Sequence, residues 1–505
     1  MSLVNDPAWF RALPGWAERR HPRRVHRIHD DRFNLMVEAV GAAAAIIPDN
    51  GELAGTYRGN VVCEGDAEVT DDVVIQGSLV VLGELSNPGG FDFTVRGSVS
   101  AKDIYFARTP STSPTGDITI DGDLICTFFD FPQSGGVAKQ LRIQGDFVVA
   151  GGGGGINTVN CYGVSAAVGT QGANVIVYGD LVAGPVNLYG GQGSNGNGGA
   201  GGNLEVYGCL TLEDDANLSG GDSLAGGSGG AGGNLEVRGD LNSGFCSVRI
   251  AGGNATAGSG GNGGTLSVDG IMQVNNLLMF GGYCDSVSPT HRSGSGGGAN
   301  IDCGLIANSD VEFQGGDRGG TVTAPGTETP ASGGFLYVEG STIIDGDLIL
   351  DGGDVLTGAS SPHAGGTAGQ FYSRGHAAVW YISCNGGGDQ GANGGAGTIS
   401  FNSGATVPVL IMLDGGGSGT APASQILLEV SGPCFIGDLN MTDRADAYIK
   451  ALSAPALMKI NGMSDKTTLN DAAGVATGDI SANLGDSVFI SAVGSTWYGI
   501  TGAAV

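Results

Sequence analysis

The fold is decided by a short strand motif, Asn203-Leu204-Glu205-Val206-Tyr207-Gly208, which the chain repeats with variations. The motif returns as NLEVRG at residues 234–239 and as TLSVDG at residues 265–270, and looser copies end at Gly179, Gly304, Gly340, Gly375, Gly404 and Gly432. The steps between these closing glycines, starting from Gly179, are 29, 31, 31, 34, 36, 35, 29 and 28 residues. Repetition at this period predicts a solenoid, in which each unit buries its apolar face against its neighbours.

A second strand motif follows each copy of the first and closes with a glycine pair, as in Val186-Asn187-Leu188-Tyr189-Gly190-Gly191. A glycine-rich excursion, such as residues 192–202 or 222–233, then leads into the next copy. We therefore predict an all-β, β-helix-like solenoid whose coil consists of strand, turn, strand and excursion. Because glycine lacks a β-carbon, excursions that recur at one corner can stack closely, and we expect a polyglycine-II-like layer. Independent mobile loops are the alternative.

The charge of the chain is unevenly distributed. The net charge is −28, but residues 1–32 hold seven basic and four acidic residues, whereas the remainder holds 15 basic and 46 acidic residues. An acidic body repels nucleic acid, so we expect no nucleic-acid partner. Charged residues precede any apolar run at the N-terminus, and no stretch has the length and hydropathy of a membrane span. We therefore expect neither Sec-dependent export nor membrane insertion.

The nine cysteines indicate packing rather than metal binding. They form no C-x-x-C pair and do not share one position of the repeat, which argues against a zinc site and against a regular disulfide ladder. We expect them to act as small buried hydrophobes in narrow coils. The glycine-rich stretches lack the Gly-Lys-Ser/Thr ending of phosphate loops, and no cofactor or metal is expected.

Residues 1–48 differ from everything that follows and are predicted to be a docking segment. A short helix is expected where Phe33, Met36, Val37, Val40 and Ala44 lie at three- and four-residue spacing, before Pro48. Such a segment cannot form a core alone, so its aromatic residues are expected to bury against another chain. A helical cap on the first coil is the alternative. The candidate docking residues are Trp9, Phe10, Trp16, Arg19, Arg20, Arg23 and Arg24.

The remainder divides into three predicted parts. Residues 49–145 repeat the strand motif at short spacing and should form narrow coils. Residues 146–436 carry the excursions and should form long coils. Residues 437–505 depart from both motifs and should form a C-terminal β cap, because an open final coil exposes an aggregation-prone edge. The end of the chain, from Gly485-Asp486-Ser487-Val488 to Gly494-Ser495-Thr496-Trp497-Tyr498, is typical of a closing β-hairpin.

These terminal residues resemble the closing hairpin of bacteriophage tail fibres, tail spikes and related virion appendages, and the excursions are similar to those of tail-fibre adhesins with polyglycine-II tips. The resemblance implies a protein made in the host cytoplasm and assembled into the virion, frequent homotrimers, and recognition of a host-surface glycan or protein. The N-terminal segment would then dock to other virion proteins. The long, evenly decorated coils depart from the simplest fibre plan, which leaves the homo-oligomer's order open.

Because β-helical phage spikes often cleave polysaccharides, pairs of carboxylates are candidate catalytic groups. Asp317, Asp354 and Asp389 each follow a ladder glycine pair, and Tyr283 takes the same position in another coil. Stacked coils would bring Asp317 and Asp354 close together, which suits surface binding, catalysis or calcium. The same residues recur with the repeat, so turn capping is the simpler interpretation.

The sequence therefore predicts a non-enzymatic virion appendage protein that presents a β-solenoid for host-surface recognition. Two alternatives remain open at this point. One is a tail spike that cleaves polysaccharide with carboxylates such as Asp317 and Asp354. The other is a bacterial surface adhesin or coat protein built on the same solenoid.

Overall fold

The computed structural model describes residues 44–106, 116–133, 139–150, 157–286, 288, 290–319, 331–354, 365–387 and 397–414, followed by the strands between residues 426 and 502. The described part is all-β and contains no helix. The predicted helix and all seven candidate docking residues lie outside the described residues, except that Ala44, expected at the helix end, begins strand β1 (Ala44–Ile47).

The strands form three parallel stacks, which we call A, B and C in the order in which one coil visits them. Stack A contains β2 (Gly51–Tyr57), β4 (Ala67–Ile75), β6 (Phe93–Val95), β8 (Ile118–Ile120), β11 (Gln140–Ile143), β14 (Asn174–Val177), β17 (Asn203–Val206), β20 (Asn234–Val237), β23 (Thr265–Val268), β26 (Gly298–Ile301), β29 (Phe335–Val338), β31 (Gln370–Ser373), β33 (Thr398–Phe401), β36 (Ile426–Val430), β39 (Ala447–Ala451) and β41 (Thr467–Asn470).

Stack B lies after the closing glycine of the motif. It contains β1, β3 (Asn60–Cys63), β5 (Leu79–Asn87), β7 (Val99–Phe106), β9 (Leu124–Cys126), β12 (Phe147–Val149), β15 (Leu181–Ala183), β18 (Leu210–Leu212), β21 (Leu241–Asn242), β24 (Ile271–Val274), β27 (Gly304–Ala307), β30 (Ser341–Ile349), β32 (Ala377–Asn385), β34 (Ala405–Val407), β37 (Pro433–Ile436) and β40 (Ala456–Ile460). The sequence predicted only two strands per coil, because these short strands read as part of the turn.

Stack C corresponds to the second motif. It contains β10 (Phe128–Asp130), β13 (Val159–Asn160), β16 (Val186–Asn187), β19 (Ala216–Asn217), β22 (Ser247–Arg249), β25 (Asn276–Phe280), β28 (Val311–Gln314), β35 (Leu410–Asp414) and β38 (Leu439–Met441). Six longer strands, β2, β4, β5, β7, β30 and β32, bend through a corner and contribute to stack C and to one other stack.

The repeated motif keeps its register from coil to coil. Asn203 pairs with Asn234 and Leu204 with Leu235, so identical positions lie directly above one another. Alternate residues of each strand point inward, as the two-residue period of a strand requires, and Leu204, Val206 and Leu210 are fully or almost fully buried. Each buried side chain of this size stabilises the fold by about 1.5–3 kcal/mol. The three stacks therefore share one continuous core along the solenoid.

The corner between stacks A and B is held by side-chain oxygens. A glycine there precedes Asn, Asp or Ser, whose oxygen accepts the backbone N–H of the equivalent residue one coil later. The donor–acceptor pairs run in series: Ser78 to Asn60 at 2.9 Å, Ser98 to Ser78 at 3.1 Å, Asp123 to Ser98 at 3.0 Å, Asp146 to Asp123 at 2.9 Å, Asp180 to Asp146 at 3.0 Å and Cys209 to Asp180 at 2.8 Å. A β-carbon at Gly145 would overlap the Asp123 carboxylate, which explains the glycine.

Each excursion consists of two extended arms joined by a tip. The outgoing arm leaves stack C through the glycine pair, and the return arm leads back to stack A. The two kinds of arm interleave: Gly199 N–H donates to Gly191 O at 2.8 Å, Gly221 N–H to Gly199 O at 2.7 Å, and Gly230 N–H to Gly221 O at 2.8 Å. The series continues through Gly253, Gly261, Gly282, Gly294 and Gly316. We call this two-layered structure the glycine slab.

The hydrogen bonds of the return arm change direction with a period of three residues. Gly229 N–H donates along the stack to Ser259 O at 2.9 Å, and Gly230 N–H donates across to the outgoing arm. Ala231 is exposed, and its N–H donates no hydrogen bond within the described residues. Gly232 N–H then donates along the stack again, to Asn262 O at 2.8 Å. An extended helix with three residues per turn has this property.

Parallel stacking continues to β40 and β41, and antiparallel pairing begins only after them. Strand β42 (Ala476–Ile480) pairs with β41, and β43 (Ser487–Val493) pairs with β40. Strand β44 (Thr496–Gly502) pairs with β43 from Ser487–Gly502 to Val493–Thr496, as in a hairpin. The last strands therefore cover the end of stacks A and B.

Candidate functional site

The predicted surface-binding residues form one column on the outgoing arms. Asp222, Asn254, Tyr283, Asp317 and Asp354 each follow the glycine pair of successive coils. Asp222 Oδ1 accepts the N–H of Asn254 at 2.7 Å, Asn254 Oδ1 that of Tyr283 at 2.8 Å, and Asp317 Oδ1 that of Asp354 at 2.9 Å. The structure thus brings Tyr283, Asp317 and Asp354 into neighbouring coils, where the side chains of Asp222, Asn254 and Asp317 each accept the backbone N–H of the equivalent residue one coil later. Asp389 lies outside the described residues.

The pKa of the Asp317 carboxyl is raised because the side chain is partly buried, although the hydrogen bond from the Asp354 backbone opposes the shift. The Tyr283 hydroxyl lies 3.4 Å from Asp285 Oδ1. In the described part of the chain, no group of three or more His, Cys, Asp or Glu side chains has an arrangement that could hold a metal ion. The geometry of this column is that of a backbone cap.

A different set of polar and aromatic residues lies on the outer surface of stack A. These residues occupy the third and fifth positions of the repeated motif, whereas the residues at its second and fourth positions are buried. Tyr178 and Tyr207 stack with ring centroids 4.8 Å apart and an angle of 15° between the ring planes, and the Arg142 guanidinium lies 5.2 Å from the Tyr178 ring centroid. Tyr207 is 42% exposed. One coil further on, Arg238 forms ion pairs with Glu236 and with Asp269, the latter at 3.3 Å.

These residues influence one another electrostatically. The hydrogen bond with Glu205 raises the pKa of the Tyr207 hydroxyl, and the hydrogen bond with Asp269 raises the pKa of Arg238. The aromatic rings, guanidinium groups and carboxylates therefore form one connected polar surface. We call it the tyrosine–arginine stripe; it contains Arg142, Tyr178, Glu205, Tyr207, Glu236, Arg238 and Asp269.

A second group of the same composition lies further along stack A. Arg374 forms an ion pair with Glu339 at 2.8 Å, and its guanidinium lies 5.5 Å from the Tyr337 ring centroid. The Tyr337 hydroxyl donates to Glu339 at 3.0 Å, and the ring lies 6.5 Å from that of Tyr372. The surface of stack A thus presents the same chemistry twice.

The stripe is not among the sites predicted from the sequence, although the motif contains its residues. The positions that precede the closing glycine hold Tyr178, Tyr207, Arg238 and Asp269 in four consecutive coils. These residues vary while the apolar positions stay constant, so they contributed nothing to the recognition of the repeat. Parallel stacking at one register places them side by side.

Eight of the nine cysteines, all except Cys434, are free thiols in the structure. Five of them, Cys63, Cys126, Cys161, Cys284 and Cys384, are buried, while Cys303 is exposed. Burial raises the pKa of Cys63 to about 11 and that of Cys126 still further. The buried thiols therefore pack as neutral, apolar groups.

Comparison with known proteins gives no relative: no protein-family model, no curated protein and no solved structure matches the chain. Among the described residues, no helix has the length and hydropathy needed to cross a membrane.

Proposed function

We propose that the chain is a non-enzymatic structural appendage protein of a bacteriophage virion, such as a tail fibre, spike or adhesin, that presents its solenoid for recognition of a host-surface glycan or protein. The observation that carries the proposal is the tyrosine–arginine stripe. Stacked, partly exposed tyrosine rings beside guanidinium and carboxylate groups offer both apolar faces and hydrogen-bonding groups to a sugar or a polar protein surface. The antiparallel terminal strands and their closing sequence also support it.

Purified chain would be tested for binding to whole bacterial cells and to their isolated surface polysaccharides. The double variant Tyr207→Ala, Arg238→Ala should lose most of the binding, because it removes one ring of the stack and the guanidinium beside it. The matched control, Thr211→Ala with Gln273→Ala, changes outward residues of stack B and should bind like the unaltered chain. Equal binding by the stripe variant and this control would refute recognition through the stripe.

The N-terminal segment is proposed to dock to other virion proteins. The segment lies outside the described residues. The support for docking is therefore the basic charge and the aromatic content of residues 1–32. Deletion of residues 1–32 should abolish incorporation into phage particles while the purified chain still folds. Normal incorporation of the shortened chain would contradict the docking role.

The slab is proposed to be a polyglycine-II-like layer. Its support is the three-residue period of the hydrogen bonds together with the steric need for glycine. A β-carbon at Gly199, Gly221 or Gly230 would overlap a backbone oxygen of a neighbouring arm. Slow amide exchange at these glycines is expected, and rapid exchange would contradict a packed layer.

Assembly as a homo-oligomer, with the homotrimer as the family's usual order, is a further part of the proposal. Light scattering on the purified chain should give a threefold mass for an intertwined trimer. A single-chain mass would instead indicate that copies dock to the particle one at a time.

The proposal that the chain does not cleave polysaccharide is tested by incubation with capsular polysaccharide, whose chain length should stay unchanged.

A further inference from the structure

A half-buried carboxylate without an evident structural role lies on the outer surface of stack C. Asp130 ends strand β10, and its Oδ1 atom is buried and has no hydrogen-bond partner. A buried polar atom left without a partner destabilises the fold, and the destabilisation is larger when the group is charged. Burial raises the pKa of Asp130 to about 6. The carboxylate is thus a costly group that contributes nothing evident to stability.

Aromatic rings flank this carboxylate on both sides. In the register of the stack, Asp130 lies directly opposite Tyr105 of the preceding coil and Asn160 of the following coil. Tyr105 and Phe128 form one ring pair, with centroids 5.1 Å apart. Side chains at such positions of neighbouring strands face the same side and lie within reach of one another.

The second ring pair lies one and two coils further on. Tyr162 follows Asn160 by two residues and stacks on Tyr189 with centroids 5.2 Å apart and an angle of 12° between the ring planes. Burial is the main cause of the raised pKa of both tyrosine hydroxyls, and the negative charge of Asp130 is the second cause. The carboxylate therefore lies within electrostatic range of this ring pair. Asn187 Nδ2 donates to Asn160 Oδ1 at 2.9 Å and so fixes the amide between the two ring pairs.

We propose that Asp130 and its two flanking ring pairs form a binding site for an alkylammonium group. The negative faces of aromatic rings attract organic cations, and a partly desolvated carboxylate supplies the opposite full charge. A cation bound beside the group would offset the charge of the half-buried carboxylate. The proposal is independent of the tyrosine–arginine stripe, which lies on a different stack and carries its own basic residues.

The test is calorimetric titration of the full chain with choline and, separately, with its neutral isostere 3,3-dimethylbutan-1-ol. Choline should bind and the neutral alcohol should not, because only the cation interacts with the carboxylate and with the ring quadrupoles. Asp130→Asn should weaken choline binding by about tenfold or more, which corresponds to about 1.4 kcal/mol. Tyr162→Leu should weaken it as well.

The matched control is Asp103→Asn. Asp103 lies on the same surface, opposite Phe128 in the register, but its Oδ1 accepts a hydrogen bond from Thr127 Oγ1 at 2.7 Å. This variant should bind choline like the unaltered chain. A parallel titration with Nα-acetyl-lysine amide distinguishes a primary ammonium from a quaternary one, and binding of either cation supports the site. Absence of binding by both cations, equal binding of the neutral alcohol, or unchanged binding by Asp130→Asn would overturn the proposal.

Discussion

Substitution of Gly230 by alanine tests whether the glycine slab is a packed part of the fold. A β-carbon at this position would overlap Gly199 O, which also accepts the N–H of Gly221. The arms must separate to relieve the overlap. Three hydrogen bonds meet at this point: Gly221 to Gly199 at 2.7 Å, Gly230 to Gly221 at 2.8 Å and Gly253 to Gly230 at 2.7 Å. At a net value of about 1 kcal/mol for each, the variant loses about 3 kcal/mol of local stability.

The assay is amide hydrogen exchange followed by mass spectrometry, because a solenoid opens locally and its unfolding need not be two-state. A loss of about 3 kcal/mol predicts exchange about a hundredfold faster at the amides of Gly221, Gly230 and Gly253. Protection of Leu204 and Leu235 in stack A should change much less, since these residues pair within their own stack.

The matched control is Ala231→Ser, one residue along the same arm. Ala231 is exposed and already carries a β-carbon, so this change should leave the exchange rates of the slab unchanged. Equal exchange rates in the unaltered chain and in Gly230→Ala would refute the packed arrangement, and so would rapid exchange of these amides before any substitution.

Two further predictions concern charged side chains. Because the pKa of Asp130 is raised from 3.8 to about 6 in the folded chain, the ionised carboxylate destabilises the fold increasingly as pH rises from about 4 to about 6. Asp130→Asn should therefore stabilise the surrounding coils against local opening by about 1–2 kcal/mol at pH 7.5, after allowance for solvent screening of a partly exposed group. The same amide-exchange assay should find no gain at pH 4, and an equal gain at pH 4 and at pH 7.5 would contradict the assignment. Asp123→Ala removes the acceptor of the Asp146 N–H at the corner of stacks A and B and should cost about 1 kcal/mol in the same assay. Asp123→Asn keeps an acceptor oxygen and should cost less, whereas equal losses would show that the hydrogen bond is not the cause.

Much of the fold was accessible from the sequence because the repeat encodes both of its main features. The alternation in Asn203-Leu204-Glu205-Val206 fixes which side chains are buried, and its recurrence fixes the parallel register. The glycine-rich excursions were correctly expected to recur at one corner. The short stack B strands were missed, because two or three residues such as Leu241–Asn242 do not carry a recognisable period.

The candidate sites were less accessible, for a physical reason. Asp317 and Asp354 are candidate site carboxylates in the sequence, but the capping by Asp317 depends on the backbone N–H of Asp354 in the next coil, which no sequence pattern specifies. Tyr178 and Tyr207 become neighbours only when coils of 29 residues stack in register. Asp130 differs from the other aspartates that the structure describes in that its Oδ1 atom is buried without a hydrogen-bond partner, which the sequence does not reveal. Surface chemistry of this kind arises from residues one coil apart and becomes visible with the three-dimensional register.

The glycine slab also governs which parts of the chain can change in length. The second glycine of the pair lies three positions after the last large buried side chain at stack C, as from Leu188 to Gly191 and from Leu350 to Gly353. The first buried side chain of stack A lies five positions after the return-arm residue of the interleaved series, as from Gly199 to Leu204 and from Gly366 to Phe371. Between these fixed arms the tip varies in length: Gly199 lies eight positions after Gly191, whereas Gly366 lies thirteen positions after Gly353. A single inserted residue in an arm would turn an inward N–H outward, whereas tips of different lengths connect the same two arms in successive coils. The tips are therefore where this protein can acquire new surface while the scaffold stays the same.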